Sequence, residues 1–159
     1  TPLQSATGLF WINITMLISF FIWGYILPKI SEYGISSIKL IKLGLPISYF
    51  SLFLIIYFGN NAGAFLFTLY IMTSIVISLT QPAIALNFSK NLAGKSLTSY
   101  NVFLFSGTFF IQWGIGLVID LCNNNGFDIL SSDRISFSVF LILCVLSYIF
   151  FIYLNKNEN

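Results

Sequence analysis

The residues best suited to chemistry in this chain are uncharged. Thr98, Asn101, Thr108 and Gln112 recur at steps of 3, 7 and 4, a spacing that sets them on one face of a helix. Tyr70, Ser74, Ser78 and Gln81 share a second such face, and Gln4, Gly8, Trp11, Thr15 and Ser19 a third. Amides and hydroxyls of this kind hydrogen-bond a polar solute, and the aromatic rings among them shape or gate a path. Residues for covalent or metal chemistry do not join the pattern. The sequence has no His, and its two cysteines, Cys122 and Cys144, stand far apart without metal-ligand spacing, so two free thiols are expected. There is no phosphate loop and no nucleophile beside a base. Neither a cofactor, nor ATP-driven pumping, nor an enzyme is therefore expected.

These faces need elements to carry them, and composition says which kind. Apolar residues make up 57% of the chain and charged residues 8%, against about 25% charged in an ordinary soluble domain. A soluble domain so poor in charge has nothing with which to cover its surface, so lipid must stand in for water around most of it. Charges are absent from residues 1–28, 44–89, 96–119 and 135–155. A spanning helix needs roughly 20 apolar residues at about 1.5 Å each. The long second stretch breaks at Gly59-Asn60-Asn61-Ala62-Gly63, which reads as a turn between two helices. Five spans result, at 6–27, 36–58, 62–86, 98–121 and 135–154. The fold expected is an all-α, polytopic membrane bundle in one partial domain covering residues 1–159. A β-barrel would show alternating strands of about 10 residues, not continuous apolar runs of twice that length.

The loops between these spans sort by charge. Lys29, Glu32, Lys39 and Lys42 follow the first span, with Lys39 and Lys42 expected to snorkel from the short second one. Lys90 and Lys95 follow the third, and Lys156 and Glu158 form the tail. The alternate side holds Arg134 among Asp120, Asp128 and Asp133. The excess of lysine places its side in the cytoplasm. Five crossings then leave Thr1 outside and Asn159 inside, and Thr1 reads as the start of a fragment rather than of a natural chain.

Three spans thus have a face that lipid would not favour. The second and fifth show little of this, and lipid on most of their sides is expected. Packing between helices is the simplest use for a hydroxyl stripe, at about 0.6 kcal/mol per bond. The amides of Asn101 and Gln112 ask for more, because a primary amide in hydrocarbon is costly without partners. Gly107, Gly114 and Gly116 around Gln112 would permit close backbone approach, whether to a helix or to a substrate. No ionisable residue is expected at mid-membrane depth, where proton relays usually have one.

Residues 81–120, QPAIALNFSKNLAGKSLTSYNVFLFSGTFFIQWGIGLVID, resemble the tenth and eleventh helices of bacterial major facilitator superfamily transporters. The resemblance lies in Gln81-Pro82, Gly94-Lys95, Thr98, Asn101, Phe105, Gly107, Phe109, Gln112-Trp113 and Gly116. Lys95 stands where that family more usually has Arg, keeping the charge without the bidentate fork. Gly24 to Lys29 with Gly34-Ile35 is similar to the family's loop between the eighth and ninth helices, with Pro28 in place of the usual Asp. The resemblance implies that the five spans are the last five of a twelve-helix fold, with helices two to six as the second placement, because the fold is built from repeats. There the eighth, tenth and eleventh helices border a central cavity, and the three polar faces fall on the corresponding spans.

The function expected on this ground is secondary active transport of a small solute across the cytoplasmic (inner) membrane by alternating access. The substrate path would use Gln112, Asn101, Thr108, Tyr70, Ser74, Trp11 and Thr15, and the cytoplasmic loop motif Gly24, Lys29, Gly34, Gly94 and Lys95. Partners would be the bilayer, a solute with or without a coupling ion, and the N-terminal helices of the same protein, with no nucleic acid. Two other classes compete. A membrane-embedded lipid-modifying enzyme would rely on Asp120, Asp128 and Asp133 and show metal-dependent turnover. A non-transporting assembly subunit would co-purify with a fixed partner and move no solute.

Overall fold

The computed structural model describes residues 2–155, and of these it leaves out the side chains at 2–5, 28 and 31. The expectations for Thr1, Lys156, Glu158, Asn159 and the Gln4 and Pro28 side chains lie outside the described residues. Within them the chain is helical, without strands. Six α-helices run in the order α1 (Pro2–Glu32), α2 (Ser37–Phe58), α3 (Ala64–Ser74), α4 (Thr80–Asn87), α5 (Lys90–Asn124) and α6 (Ile129–Leu154). A 3-10 turn, Gly59–Asn61, follows α2, and a second 3-10 segment, Ile75–Leu79, joins α3 to α4. Five stretches are long and apolar enough to cross a membrane: Ala6–Leu27, Ser37–Asn61, Ala64–Asn87, Lys90–Asn124 and Ile129–Leu154. They coincide with the five expected spans. The helices run past the expected ends, so Lys29 and Glu32 belong to α1, Lys90, Gly94 and Lys95 to α5, and Asp133 and Arg134 to α6.

The stops are local and chemical. Gly34 at φ +75° ends α1, and the Ile35 N–H reaches back to the Ile30 carbonyl at 3.4 Å. Gly126 at φ +83° ends α5 the same way, with Phe127 N–H on the Cys122 carbonyl at 3.1 Å and Gly126 N–H on that of Asn123 at 3.0 Å. In both turns a glycine in the left-handed region lets the amide after it reach back to a carbonyl of the last helical turn. Ser36 Oγ accepts the Lys39 N–H at 3.3 Å at the start of α2, and Asp128 caps α6 by accepting from the Ser131 N–H, also at 3.3 Å.

The chain forms two compact units. The first holds Thr1–Ile55 and Asn61–Ala83. In it α1 lies along α3 and the Ile75–Leu79 segment. Its core is Ile41, Leu45, Leu52 and Ile55 of α2 with Ile75, Val76 and Leu79. The buried residues of α2, which include Ser48 and Ser51, occupy about a third of the helix circumference. So α2 has one covered face. Gly44 is the reason it sits so close: a Cβ there would stand 2.9 Å from Val76 Cγ1.

The second unit holds Ile56–Asn60 and Ile84–Asn159, and its body is the α5–α6 hairpin. Ser132 and Ser136 are buried at the start of α6. Ser132 Oγ donates to Asn123 Oδ1 at 2.7 Å, and Ser136 Oγ to the Ser132 carbonyl at 2.8 Å. Among the described residues no helix makes the close approach expected at Gly107, Gly114 and Gly116, since a Cβ at each would meet open space. Cys122 and Cys144 are free thiols, as expected.

Candidate functional site

The polar face of α1 meets α3. Gly8, Trp11 and Thr15 line one side of a groove of about 360 Å³, with Ala64, Phe67 and Thr68 of α3 opposite. Ser19 belongs to a neighbouring groove with Trp23, Met72 and Thr73. It is buried, and its hydroxyl donates to the Thr15 carbonyl at 2.8 Å. At Ser19 the stripe therefore serves packing. At Trp11, which is 61% exposed, it lines open space.

Tyr70 and Ser74 are half-buried on α3, on the same side of the helix as Phe67, three and seven residues before them, but they do not themselves line these grooves. The Ser74 hydroxyl donates to the Ile71 carbonyl at 3.1 Å, on its own helix. Their expected continuation to Ser78 and Gln81 fails, because the helix is not continuous. Each residue of the 3-10 segment Ile75–Leu79 advances about 120° rather than about 100°. Ser78 and Gln81 are carried off the stripe. The sequence explains the interruption. Pro82 has no N–H for the Ser78 carbonyl four residues back, and its ring crowds that oxygen. The β-branched run Ile75-Val76-Ile77 is also a poor helix former. Around the break, hydroxyls bond to backbone carbonyls: Thr73 Oγ1 donates to Leu69 at 2.8 Å and to Tyr70 at 3.1 Å, and Thr80 Oγ1 to Ile77 at 2.7 Å.

In the second unit, Thr98, Asn101, Thr108 and Gln112 share one face of α5, as expected. Ile111, Gly114, Ile115 and Val118 line the cleft against α6 instead. The two faces lie about 100° apart around the helix. No residue of α5 is buried. Thr98 and Thr108 donate to the Gly94 and Leu104 carbonyls, each at 2.9 Å, so their hydroxyls are spent locally. The face also carries two primary amides, Asn101, half-buried, and Gln112, exposed.

Three of the loop-motif residues, Lys29, Gly94 and Lys95, stand in helices where loops were expected. Gly24 and Lys29 lie inside α1, and Gly94 and Lys95 inside α5; only Gly34 stands in a turn. The segment from Lys90 to Leu97 contains Lys, Leu and Ala and no proline, and the helix runs through Gly94 and through its charges. The Lys29 ammonium donates to the Tyr25 hydroxyl at 2.6 Å and lies 4.0 Å from the centre of that ring. At the other end of the chemistry, Asp128 is held below the usual carboxylate value, first by the Ser131 hydroxyl at 2.6 Å and then by the Ser131 N–H. Among the described residues no three His, Cys, Asp or Glu side chains gather as a metal-ligand group.

Sequence reasoning missed three residues that matter to these surfaces. Phe67 and Thr68 complete the α1–α3 groove, and Arg134 reaches the end of α2, where its guanidinium donates to the Tyr57 carbonyl at 3.1 Å. Thr68 carried no periodic signal, while Phe67 stands at helical spacing from Tyr70 and Ser74, a signal that could have added it. Arg134 was legible as a lone cation but not as a cap. Compared with known protein families, curated proteins and solved structures, the chain matches none.

Proposed function

We propose that this chain is part of a secondary transporter of the major facilitator type, moving a small solute across the cytoplasmic membrane by alternating access. The observation that carries the reading is the polar face of α5. It stands apart from the face that packs on α6, and the helix buries no residue. A 35-residue helix rises about 52 Å, well beyond a hydrocarbon core of about 30 Å, so its ends stand in the interfaces while the middle crosses lipid. Amides kept along such a helix are costly unless a polar cavity or solute meets them. The interrupted third span supports the same reading, because transporter sites are commonly built where a spanning helix is discontinuous. The lysine-rich loops face the cytoplasm on this proposal.

The test is uptake by the complete protein in proteoliposomes, screened against a panel of neutral and charged radiolabelled solutes. Gln112→Ala and Asn101→Ala are expected to lower uptake about fivefold or more each, the loss of one hydrogen bond to the solute. Wild-type rates in both would remove the α5 face from the pathway.

A further inference from the structure

The α1–α3 groove has a chemistry that narrows what it takes. Trp11 and Phe67 supply aromatic walls, and Gly8 and Ala64 keep the space between the helices open. A Cβ on Gly8 would meet nothing within 4 Å. Thr15 and Thr68 add two hydroxyls. Neighbouring hydroxyls at Ser19, Thr73 and Ser74 are tied to carbonyls of their own helices. Among the described residues no such bond holds the Thr15 or Thr68 hydroxyl. No Asp, Glu, Lys or Arg lines the groove. The one cation of α1, Lys29, lies roughly 21 Å along the helix from Thr15 and is engaged with Tyr25.

We propose that this groove binds an uncharged, ring-bearing solute, its ring against Trp11 and Phe67 and its hydrogen-bonding group on Thr15 and Thr68. The volume of about 360 Å³ lies within the range of small-molecule sites, which are mostly apolar with a few placed polar groups. A charged solute would shed water here with no counter-charge, a cost of several kcal/mol that the two hydroxyls do not offset. A saturated chain would gain nothing from the hydroxyls or from the indole N–H. A flat ring gains both the aromatic contact and the polar anchor. The groove's role in translocation rests on the transporter reading; its binding of a neutral ring does not.

The experiment uses the full chain in phosphatidylcholine nanodiscs and four photoreactive probes. Three share one phenyl-diazirine ring and carry a hydroxymethyl, a trimethylammonium or a sulfonate group. The fourth is a ringless alkyl diazirine. Labelled positions are mapped by mass spectrometry. The hydroxymethyl probe is expected to label residues 8–15 and 64–68 saturably. Thr68→Val and Trp11→Ala should each lower that labelling about fivefold, while Trp11→Phe retains most of it. Thr15→Val replaces Trp11→Ala if the latter loses helicity. Absent or unsaturable labelling by the neutral ring would overturn the proposal. So would equal labelling by either charged probe, or by the alkyl probe, which would make the groove a seat for a lipid chain. Intact labelling in a protein that transports no solute would overturn the transporter reading and leave the groove standing. Normal uptake in a Trp11→Ala/Thr68→Val chain that no longer labels would overturn the groove's place in the pathway.

Discussion

The Arg134 guanidinium, at the first turns of α6, donates to the Tyr57 carbonyl at 3.1 Å and packs against Gly59. Tyr57 lies in the last turn of α2, where the helix dipole is negative. One cation thus meets a carbonyl and the partial charge of the helix end at once. Gly59 makes room for it twice over, by its φ of +52° and by the absence of a Cβ, which would stand 2.7 Å from the guanidinium. Gly59→Ala is expected to destabilise the protein by about 1–2 kcal/mol from backbone strain alone, plus the steric term. In an Arg134→Ala background the same change should cost less. Thermal unfolding in detergent, run as a double-mutant cycle, reads the coupling; additive effects would argue against this contact.

Gly44 is the close-packing glycine of α2. Gly44→Ala places a methyl 2.9 Å from Val76, a stiff β-branched side chain only 1% exposed. The expected penalty is about 1–3 kcal/mol, from overpacking. Val76→Ala in the same chain should recover part of it. A Gly44→Ala protein as stable as the parent would show that α2 is free to withdraw.

Pro82→Ala tests the origin of the interrupted span. The change supplies an N–H that can bond the Ser78 carbonyl and removes a ring that crowds it. Hydrogen exchange of the amides from Leu79 to Ala83 is expected to slow as the 3-10 segment relaxes toward α-helix. Unchanged exchange would assign the break to the packing of Ile75, Val76 and Leu79 instead.

Asp128 links stability to acid. Its folded pKa lies below the ordinary value of 3.8, chiefly because of the Ser131 hydroxyl. A lowered carboxyl contributes stability that is fully present above the unfolded pKa and lost as pH falls through the folded one. Asp128→Asn keeps a capping side chain but removes the titration. The stability difference between the two chains should therefore be constant from neutral pH down to about pH 5 and shrink below about pH 4. A difference that does not change across that range would remove Asp128 from the acid response.

Orientation is read by labelling. In a Cys122→Ser/Cys144→Ser background, a cysteine placed at Lys90 should be shielded from an impermeant maleimide in intact cells, and one at Asn125 should react. The reverse pattern would invert the proposed topology.

The five spans were legible because their signal is local. Partition into lipid depends on the residues of each stretch, not on which stretch lies beside it, and the charged ends are read the same way. Trp11 and Thr15 were found because one helix period suffices to gather them. What lies across from them was not legible: Phe67 and Thr68 join the groove only because α1 runs along α3. The small residues show the limit most clearly. Gly107, Gly114 and Gly116 looked poised for close contact, yet a Cβ at each would meet open space, while Gly44 and Gly59, without any such cluster, are the tight ones. Pro82 carried a signal for the break before α4, but a proline limits the α-helix without saying how many residues will tighten.

Sequence alone determined that five stretches are helical, long and apolar enough to cross a bilayer, and that α1 and α5 each carry a polar face. Each follows from side-chain solvation and helical period, which act over a few turns. Tertiary structure decided which of those faces are covered, which glycine touches a neighbour, and that Arg134 caps a helix 77 residues away. Those depend on which surfaces meet, and contact between distant segments is set by shape complementarity that no single stretch encodes.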